Sequence, residues 1–321
     1  MTLPASANAP ITARLRSSRT VMLSLLIGIA LAAGASTLYS LGIAVQALDA
    51  RDVGRSHTLR ISLLGQLARQ MRWLLGTGMT ALGWPLQIIA LAYAPLVVVQ
   101  PALALGLVVL LAAGERLLGE RPGLRERLSV AAIVAGVAGI AVLAPHHSTH
   151  HVHGIGLVVV LTLLGAAAAS PFVLQLAGRR IANATMIGAG LSFAWSGLVN
   201  QFVADAARNG HWGTAIAWAA GAAVAALVGL TCEMSALQRR PAILVAPVVF
   251  AVQTVVPVLL APFVVHASFL DSPLSGVPLL GCLLVLLAGA TAIARSPAML
   301  AISGRDQRSS TESGTPASES E

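Results

Sequence analysis

The chain has no lysine: all 20 of its basic residues are arginine, and only 12 of its 321 residues are acidic. Charged residues make up 10% of the sequence, hydrophobic residues make up 56%, and the mean hydropathy is +0.82. Soluble domains carry about 25% charged residues, so this composition excludes a soluble protein. The arginines lie in short gaps between long apolar runs instead of forming a water-facing patch, which argues against a nucleic-acid partner.

Cysteine is scarce as well. Cys232 and Cys282 both lie inside apolar runs, which excludes a disulfide framework and a CxxC metal or redox pair. The apolar runs also hold no paired acids, no His–Glu cluster and no nucleophile–base set. The sequence therefore argues against an intramembrane enzyme and predicts no cofactor.

The apolar runs are continuous and do not alternate with polar residues, which predicts helices and argues against a transmembrane barrel. Nine runs reach the roughly 20 residues that a helical span requires. They cover residues 21–48, 73–93, 95–114, 128–145, 154–177, 185–206, 212–237, 242–265 and 275–294. We therefore expect an all-α polytopic membrane protein with about nine transmembrane helices.

The arginines predict the orientation of these spans. Nine spans place the two termini on opposite sides of the membrane, and an outside N-terminus leaves 16 arginines in cytoplasmic segments and 4 outside. Because cytoplasmic loops are enriched in basic residues, we expect a plasma-membrane protein with its N-terminus outside and its C-terminus in the cytoplasm. Residues 1–20 are an N-terminal extension, and the polar residues 303–321 are typical of a disordered cytoplasmic tail.

The gap between the first two spans is long for a turn. Leu64, Leu67, Ala68 and Met71 fall on one face of a helix there, which predicts an amphipathic helix on the cytoplasmic surface. The alternative is that the second span begins early.

An internal repeat is the most informative pattern in the chain. Seven positions recur after 146 residues: Gly83, Gln87, Ala90, Leu91, Pro95, Val99 and Pro101 correspond to Gly229, Glu233, Ala236, Leu237, Pro241, Val245 and Pro247. The two copies are five spans apart, so the second runs through the membrane in the opposite direction. This predicts an inverted repeat of five helices in residues 21–177 and four in residues 185–296, the architecture from which alternating access is built. Four prolines are candidate helix breaks or hinges: Pro95, Pro101, Pro241 and Pro247.

Two stretches of the first half carry a family resemblance. Residues Ala92–Pro101 and Gly114–Arg121, with Ala144-Pro145 closing the next span, resemble the drug/metabolite transporter superfamily of EamA-like inverted repeats. The NIPA-type magnesium transporter branch is the most similar, and the second half is similar from Ala236 to Pro297. The resemblance implies a secondary transporter whose first expected substrate is Mg²⁺ or another divalent cation.

Glu233 is the one carboxylate that lies well inside a predicted span. Ionisable groups at membrane depth usually face a cavity or a partner, so Glu233 is the leading candidate for a cation site or a proton-coupling site. Its repeat partner Gln87 lies toward the outer face. The alternative is that Glu233 reaches the interface and pairs with Arg239 or Arg240.

Three further amides, Gln100, Asn200 and Gln253, are candidates for the transport pathway, although membrane amides also bond between helices. Gln100 is the best of them because it adjoins Pro101, where unbonded carbonyls can face a cavity. At the span ends we expect Asp49 to be solvated. We also expect a solvated ion-pair cluster, with a gate as the alternative, at Glu115, Arg116, Glu120 and Arg121.

Metal-binding candidates are few: Glu233, and His147 with His151 in the external tract His146–His153. Incidental, weak metal binding is the default interpretation of such a tract. The expected partners are the lipid bilayer and a small solute or cation, with a homodimer left open. Export of a small organic metabolite or cationic drug is the alternative function, and a non-transporting membrane subunit is the alternative from another class.

Overall fold

The computed structural model describes residues 11–52, 58–59, 61–94, 96–143, 155–178, 182–264 and 276–295. Every element within these ranges is a helix. The helices are α1 (Ile11–Asp52), α2 (Ile61–Leu67), α3 (Met71–Tyr93), α4 (Leu96–Ala104), α5 (Gly106–Leu117), α6 (Leu124–Leu143), α7 (Ile155–Leu176), α8 (Ala182–Arg208), α9 (Trp212–Leu237), α10 (Ala242–Val264) and α11 (Val277–Ala294). The chain is an all-α protein over this part of its length.

Seven of the described helices are long and apolar enough to cross a membrane. These segments are Met22–Asp52, Val98–Leu117, Leu124–Leu143, Gly156–Leu176, Trp212–Leu237, Ala242–Leu260 and Val277–Ala294. Helices α3 and α8 coincide with the second and sixth predicted spans but do not belong to this set. Each carries an amide side chain within its length, Gln87 in α3 and Asn200 in α8. The protein is thus a multi-pass membrane protein.

Contacts among polar side chains gather many helix ends at one end of the bundle, which we call the Glu120 end. The C-terminal ends of α1, α5, α7 and α9 meet the N-terminal ends of α3, α8 and α10 there. The first turn of α6 and the last turn of α11 also lie together. Successive long helices therefore run in opposite directions.

Helices α1 and α3 pack antiparallel along most of their length. A Cβ atom added at Gly28 would collide with the side chain of Ala94 at one end of the pair. At the other end, a Cβ added at Gly42 would lie 2.7 Å from the carbonyl oxygen of Gly76. Glycines at both ends thus let the two backbones approach closely, as small residues do in membrane helices.

Helices α8 and α9 form a second antiparallel pair of the same kind. A Cβ added at Gly229 would lie 2.9 Å from the ring of Phe193, and the rings of Phe202 and Trp218 pack 5.3 Å apart further along. The α1–α3 pair has a matching contact, since a Cβ added at Gly83 would lie 2.9 Å from the ring of Tyr39.

Helices α6 and α11 join the first half of the chain to the second. A Cβ added at Gly136 would lie 2.7 Å from Cβ of Leu286, and one added at Gly289 would lie 3.1 Å from Cγ1 of Ile133. The residue number falls along α11 as it rises along α6, so the two helices cross antiparallel. Each helix supplies one glycine and one branched residue to the crossing.

The short helix α2 packs against the bundle at the Glu120 end. Leu63 and Leu67 are fully buried, whereas Ala68 and Met71 are exposed. The face predicted to hold Leu67, Ala68 and Met71 is not continuous, because α2 ends at Leu67 and the chain turns before α3 begins at Met71. The buried face packs on protein side chains in the largest apolar cluster of the molecule.

The four candidate hinge prolines differ in their surroundings. The third predicted span is broken at Leu105, one turn after Pro101, into α4 and α5. In the second half, Pro241 directly precedes α10, and α10 continues through Pro247 without a break. Pro95 lies outside the described residues.

Candidate functional site

The last two turns of α9 are covered on every side. All eight residues from Thr231 to Gln238 are buried, unlike the rest of this helix, which exposes side chains to the lipid-facing surface. Helices α1, α2, α7, α8 and α10 all contact α9. Any polar side chain in this stretch faces the interior of the bundle.

Glu233 is the one acidic residue in this buried stretch, with a relative exposure of 6%. Within the described residues the structure records no hydrogen-bond donor and no cation in contact with its carboxylate. Neither predicted arginine pairs with it: Arg240 donates to Oδ1 of Asn183 at 3.4 Å, and Arg239 makes no ion pair. The alternative in which Glu233 reaches the interface therefore has no support in the described contacts.

The carboxylate oxygens of Glu233 are not sealed from small molecules. In the described part of the chain, the one side-chain nitrogen or oxygen atom that is both sealed and without a partner is Nε of Arg239. Because Glu233 also has no partner among the described residues, its oxygens must keep a small accessible surface, through which a proton or a cation can reach the carboxylate.

The position of Glu233 along its helix makes a negative charge more costly still. It lies four residues before the C-terminal end of α9, where the helix dipole presents partial negative charge. Glu126, which is equally buried, provides the contrast: it lies in the first turn of α6, where the dipole favours an anion. Of the two, Glu233 is therefore the carboxylate that needs a proton or a cation.

The matching polar residue of the first half is satisfied. The hydroxyl of Tyr39 donates to Oε1 of Gln87 at 3.0 Å, across the α1–α3 contact. Phe193 lies against Gly229 just as Tyr39 lies against Gly83, but it has no hydroxyl to offer. Glu233 thus lacks the donor that its repeat partner has.

Three hydrogen bonds, which we call the cover, hold residues 58–59 against the C-terminal end of α9 at the Glu120 end. The backbone nitrogen of Leu59 donates to Oγ of Ser235 at 2.9 Å, and the hydroxyl of Thr58 donates to Oε1 of Gln238 at 3.0 Å. Gln175 from α7 donates to the carbonyl oxygen of Thr58 at 2.9 Å. Leu59 has a φ of 54°, an uncommon conformation for leucine that these bonds help to maintain.

Glu120 is buried and bonded, and the expectation that it belongs to a solvated cluster is wrong. Its carboxylate accepts the backbone N–H groups of Ala242 at 2.8 Å and Ile243 at 3.0 Å, and it pairs with Arg51. Glu115 does fit the expectation, because it is exposed and pairs with Arg127 at 3.8 Å. The difference arises because Glu120 lies beyond the end of α5, where the chain turns toward α10.

Asp49 is also buried, so the prediction that it is solvated is wrong. Nε of Arg72 lies 3.1 Å from Oδ1 of Asp49, and the amide nitrogen of Gln70 lies 3.2 Å from both carboxylate oxygens once the amide is correctly oriented. These contacts join the end of α1 to the start of α3. Asp49 therefore has a structural role and is not a free ligand.

The other predicted pathway residues are scattered. Gln100 and Gln253 are half-buried and make no hydrogen bond with any described residue, whereas the side chain of Asn200 is exposed. No hydrogen bond joins any of them to Glu233. Sequence reasoning did not single out Tyr39 and Phe193. Each ring packs on a glycine of the repeat, Tyr39 on Gly83 and Phe193 on Gly229, and comparing the two shows that only Tyr39 carries a hydroxyl.

No group of three His, Cys, Asp or Glu residues in the described ranges is arranged to hold a metal ion. His147 and His151 lie outside those ranges. A groove of about 570 Å³ lies between α6 and α11, where residues such as Leu128 and Ala288 line it, and it does not include Glu233. Comparison with family models, with curated proteins and with solved structures finds no match to this chain.

Proposed function

We propose that this chain is a secondary transporter of a small cation, and that Glu233 is its cation site. The proposal rests on the carboxylate of Glu233. This carboxylate is buried, it has no partner among the described residues, and it lies near the C-terminal end of α9, where the helix dipole disfavours an anion. An isolated charge inside a bundle costs several kcal/mol, so such a group binds a proton or another cation. A transporter uses that requirement by exchanging one cation for another.

The packing of the helices supports an inverted repeat behind this site. The α1–α3 and α8–α9 pairs share the same ring-on-glycine contact, Tyr39 on Gly83 and Phe193 on Gly229. The two glycines are 146 residues apart, the spacing found in the sequence. Two halves built alike and oriented in opposite directions can exchange conformations about an axis in the membrane plane.

The crossing of α6 and α11 supports the same axis. Gly136 and Gly289 are 153 residues apart, and so are Ile133 and Leu286. Each glycine faces the branched residue of the other half, and the helices are antiparallel. An interface with reciprocal contacts is what a local two-fold axis produces.

Nine membrane passes are part of this proposal. The alternating direction of successive long helices favours counting α3 and α8 as spans, since each lies antiparallel along a helix that is apolar enough to cross. The described arginines between the helices at the Glu120 end outnumber those at the other end, which favours the Glu120 end as cytoplasmic and the N-terminus as external. The plasma membrane is the proposed location.

The lone carboxylate favours a proton or an organic cation over Mg²⁺. A magnesium site commonly uses one or two carboxylates together with several waters, and Glu233 is the single carboxylate in its buried stretch. The resemblance to NIPA-type transporters keeps Mg²⁺ as the second proposed substrate. Export of a cationic metabolite or drug fits the same site.

Flux into liposomes tests the proposal against its alternative, a non-transporting membrane subunit. Purified protein is reconstituted, and uptake of Mg²⁺, tetramethylammonium and methyl viologen is compared with uptake by protein-free liposomes. Uptake of at least one cation above the protein-free rate is the expected result. No uptake of any of the three contradicts transport and supports the subunit.

A further inference from the structure

Glu120 lies in the first half of the chain, but its carboxylate caps the first backbone N–H groups of helix α10 in the second half. The start of a helix leaves backbone N–H groups without partners, and these are normally capped by a nearby Ser, Thr, Asp or Asn. Here the two preceding residues are Arg240 and Pro241, which offer no side-chain acceptor. The carboxylate of Glu120 accepts both N–H groups instead, more than a hundred residues away along the chain.

The same carboxylate holds a third element, the end of α1. Arg51 pairs with the oxygen of Glu120 that also accepts the N–H of Ala242. The carboxylate side chain is 6% exposed, and the arginine side chain is 32% exposed. A buried carboxylate is strongly destabilising when its partners are removed, so Glu120 depends on the partners that α1 and α10 supply.

Local structure fixes Glu120 in this place. The carbonyl oxygen of Gly114 accepts the N–H of Leu118 at 3.2 Å and that of Glu120 at 3.0 Å, which ends α5 in a tight turn. Gly119 in this turn has a φ of 65°, a conformation that favours glycine. The turn holds the end of α5 directly against the start of α10, where a Cβ at Gly114 would lie 2.5 Å from Cγ2 of Ile243.

These contacts join the two halves of the chain at the Glu120 end, because α1 and α5 belong to the first half and α10 belongs to the second. We propose that Glu120 is the latch of the cytoplasmic gate, and that its release from α10 opens the path from the cytoplasm to Glu233. The short turn Gln238–Pro241 couples α10 to the buried end of α9. Movement of α10 therefore disturbs the cover that Ser235 and Gln238 hold in place.

This inference rests on the proposed transport function, but its test needs no substrate. Cys232 and Cys282 are replaced by alanine, and Glu233→Cys places a single thiol at the proposed site. A membrane-impermeant maleimide is added to the cytoplasmic face of inside-out vesicles. Its reaction rate then reports access to position 233 from that side, whatever the chain transports.

The decisive comparison is between two glutamates near the end of α5. Glu120→Gln keeps the size of the side chain but removes the charge that α10 and Arg51 share. We expect it to raise the labelling rate about tenfold or more, the equilibrium change that loss of a charge-assisted hydrogen bond produces. The matched control Glu115→Gln changes an exposed residue and should leave the rate within about twofold, as surface ion pairs contribute little.

A second variant keeps the test valid if Glu120→Gln does not fold, as judged by its elution profile and melting temperature. Arg51→Gln leaves the cap on α10 intact and removes only the ion pair, so we expect a smaller rise of several-fold. An unchanged labelling rate in the folded variant overturns the latch, as does an equal rise in Glu115→Gln. Flux is measured separately in protein that retains Glu233. Faster labelling together with no cation flux in that protein supports the latch while contradicting the transport proposal.

Discussion

The hydroxyl of Tyr39 donates a hydrogen bond of 3.0 Å to the side-chain oxygen of Gln87. The ring of Phe193 lies against Gly229 as the ring of Tyr39 lies against Gly83, but it ends in a carbon–hydrogen bond. Glu233 consequently has no donor where Gln87 has one. The two halves thus differ by one hydroxyl group on the ring that packs against the paired glycines.

Phe193→Tyr should supply that missing donor. The new hydroxyl would bond the carboxylate of Glu233, and a hydrogen bond to a charged group contributes about 1.5–3 kcal/mol. We expect a higher melting temperature and a KM for the transported cation raised about tenfold, because the cation must displace the hydroxyl. Flux kinetics in liposomes and thermal unfolding in detergent measure the two effects.

The control for this change is Tyr39→Phe, which removes the matching hydroxyl from the first half. It should lower the free energy of unfolding by about 1 kcal/mol and leave the KM unchanged, since Gln87 is not the proposed cation site. A folded Phe193→Tyr protein with a wild-type KM would show that the hydroxyl and the cation do not compete.

The α6–α11 crossing should tolerate no side chain at its glycines. Gly136→Val would force a branched side chain against Leu286, where a Cβ alone already lies 2.7 Å from another Cβ. Overpacking of this kind destabilises by about 1–3 kcal/mol, so we expect a clearly lower melting temperature. Gly281→Val on α11 is the matched control, because no atom lies within 4 Å of a Cβ at that position. Equal melting temperatures for the two variants would rule out the close crossing.

A disulfide between the halves should stop transport. Gly114→Cys with Ile243→Cys, in a chain whose native cysteines are replaced by alanine, joins α5 to α10 where a Cβ at Gly114 would contact the side chain of Ile243. Disulfides form when the two Cβ atoms are about 3.5–4.5 Å apart. We expect oxidation to abolish cation flux and a reductant to restore it, because the halves can no longer separate at the Glu120 end.

The control bridge lies within one half. Gly42→Cys with Thr80→Cys joins α1 to α3, where a Cβ at Gly42 would lie 2.6 Å from Cγ2 of Thr80, and these two helices move together in alternating access between rigid halves. Oxidation of this pair should leave most of the flux. Full flux in the oxidised Gly114–Ile243 variant, with the bridge verified by mass, would contradict a moving interface at this end.

Composition and spacing were enough to predict the helical membrane fold and the position of Glu233 inside a helix. They could not predict the roles of Asp49 and Glu120, because both were judged by their place at span ends. Burial of these two carboxylates depends on the start of α3 and the start of α10, which reach them only after the chain folds. Long-range partners of this kind leave no periodic signal in the sequence.

The short helix α2 illustrates the same limit. Its apolar residues predict an amphipathic helix, but the face that is buried contains Leu63 and Leu67, and it packs on protein. A helical pattern of seven residues fits more than one face, and the face that is buried depends on long-range contacts with α9.

The most direct test of the central claim is the flux of the best-transported cation in Glu233→Gln. The variant keeps the volume and polarity of the side chain and removes its charge, and Glu126→Gln removes an equally buried charge at a favourable helix end. With equal amounts of folded protein in the liposomes, we predict that Glu233→Gln lowers the initial rate at least about a hundredfold, the scale of a lost buried charge interaction of about 3 kcal/mol, while Glu126→Gln transports normally. A wild-type rate in Glu233→Gln, or an equal loss in both variants, would contradict the account.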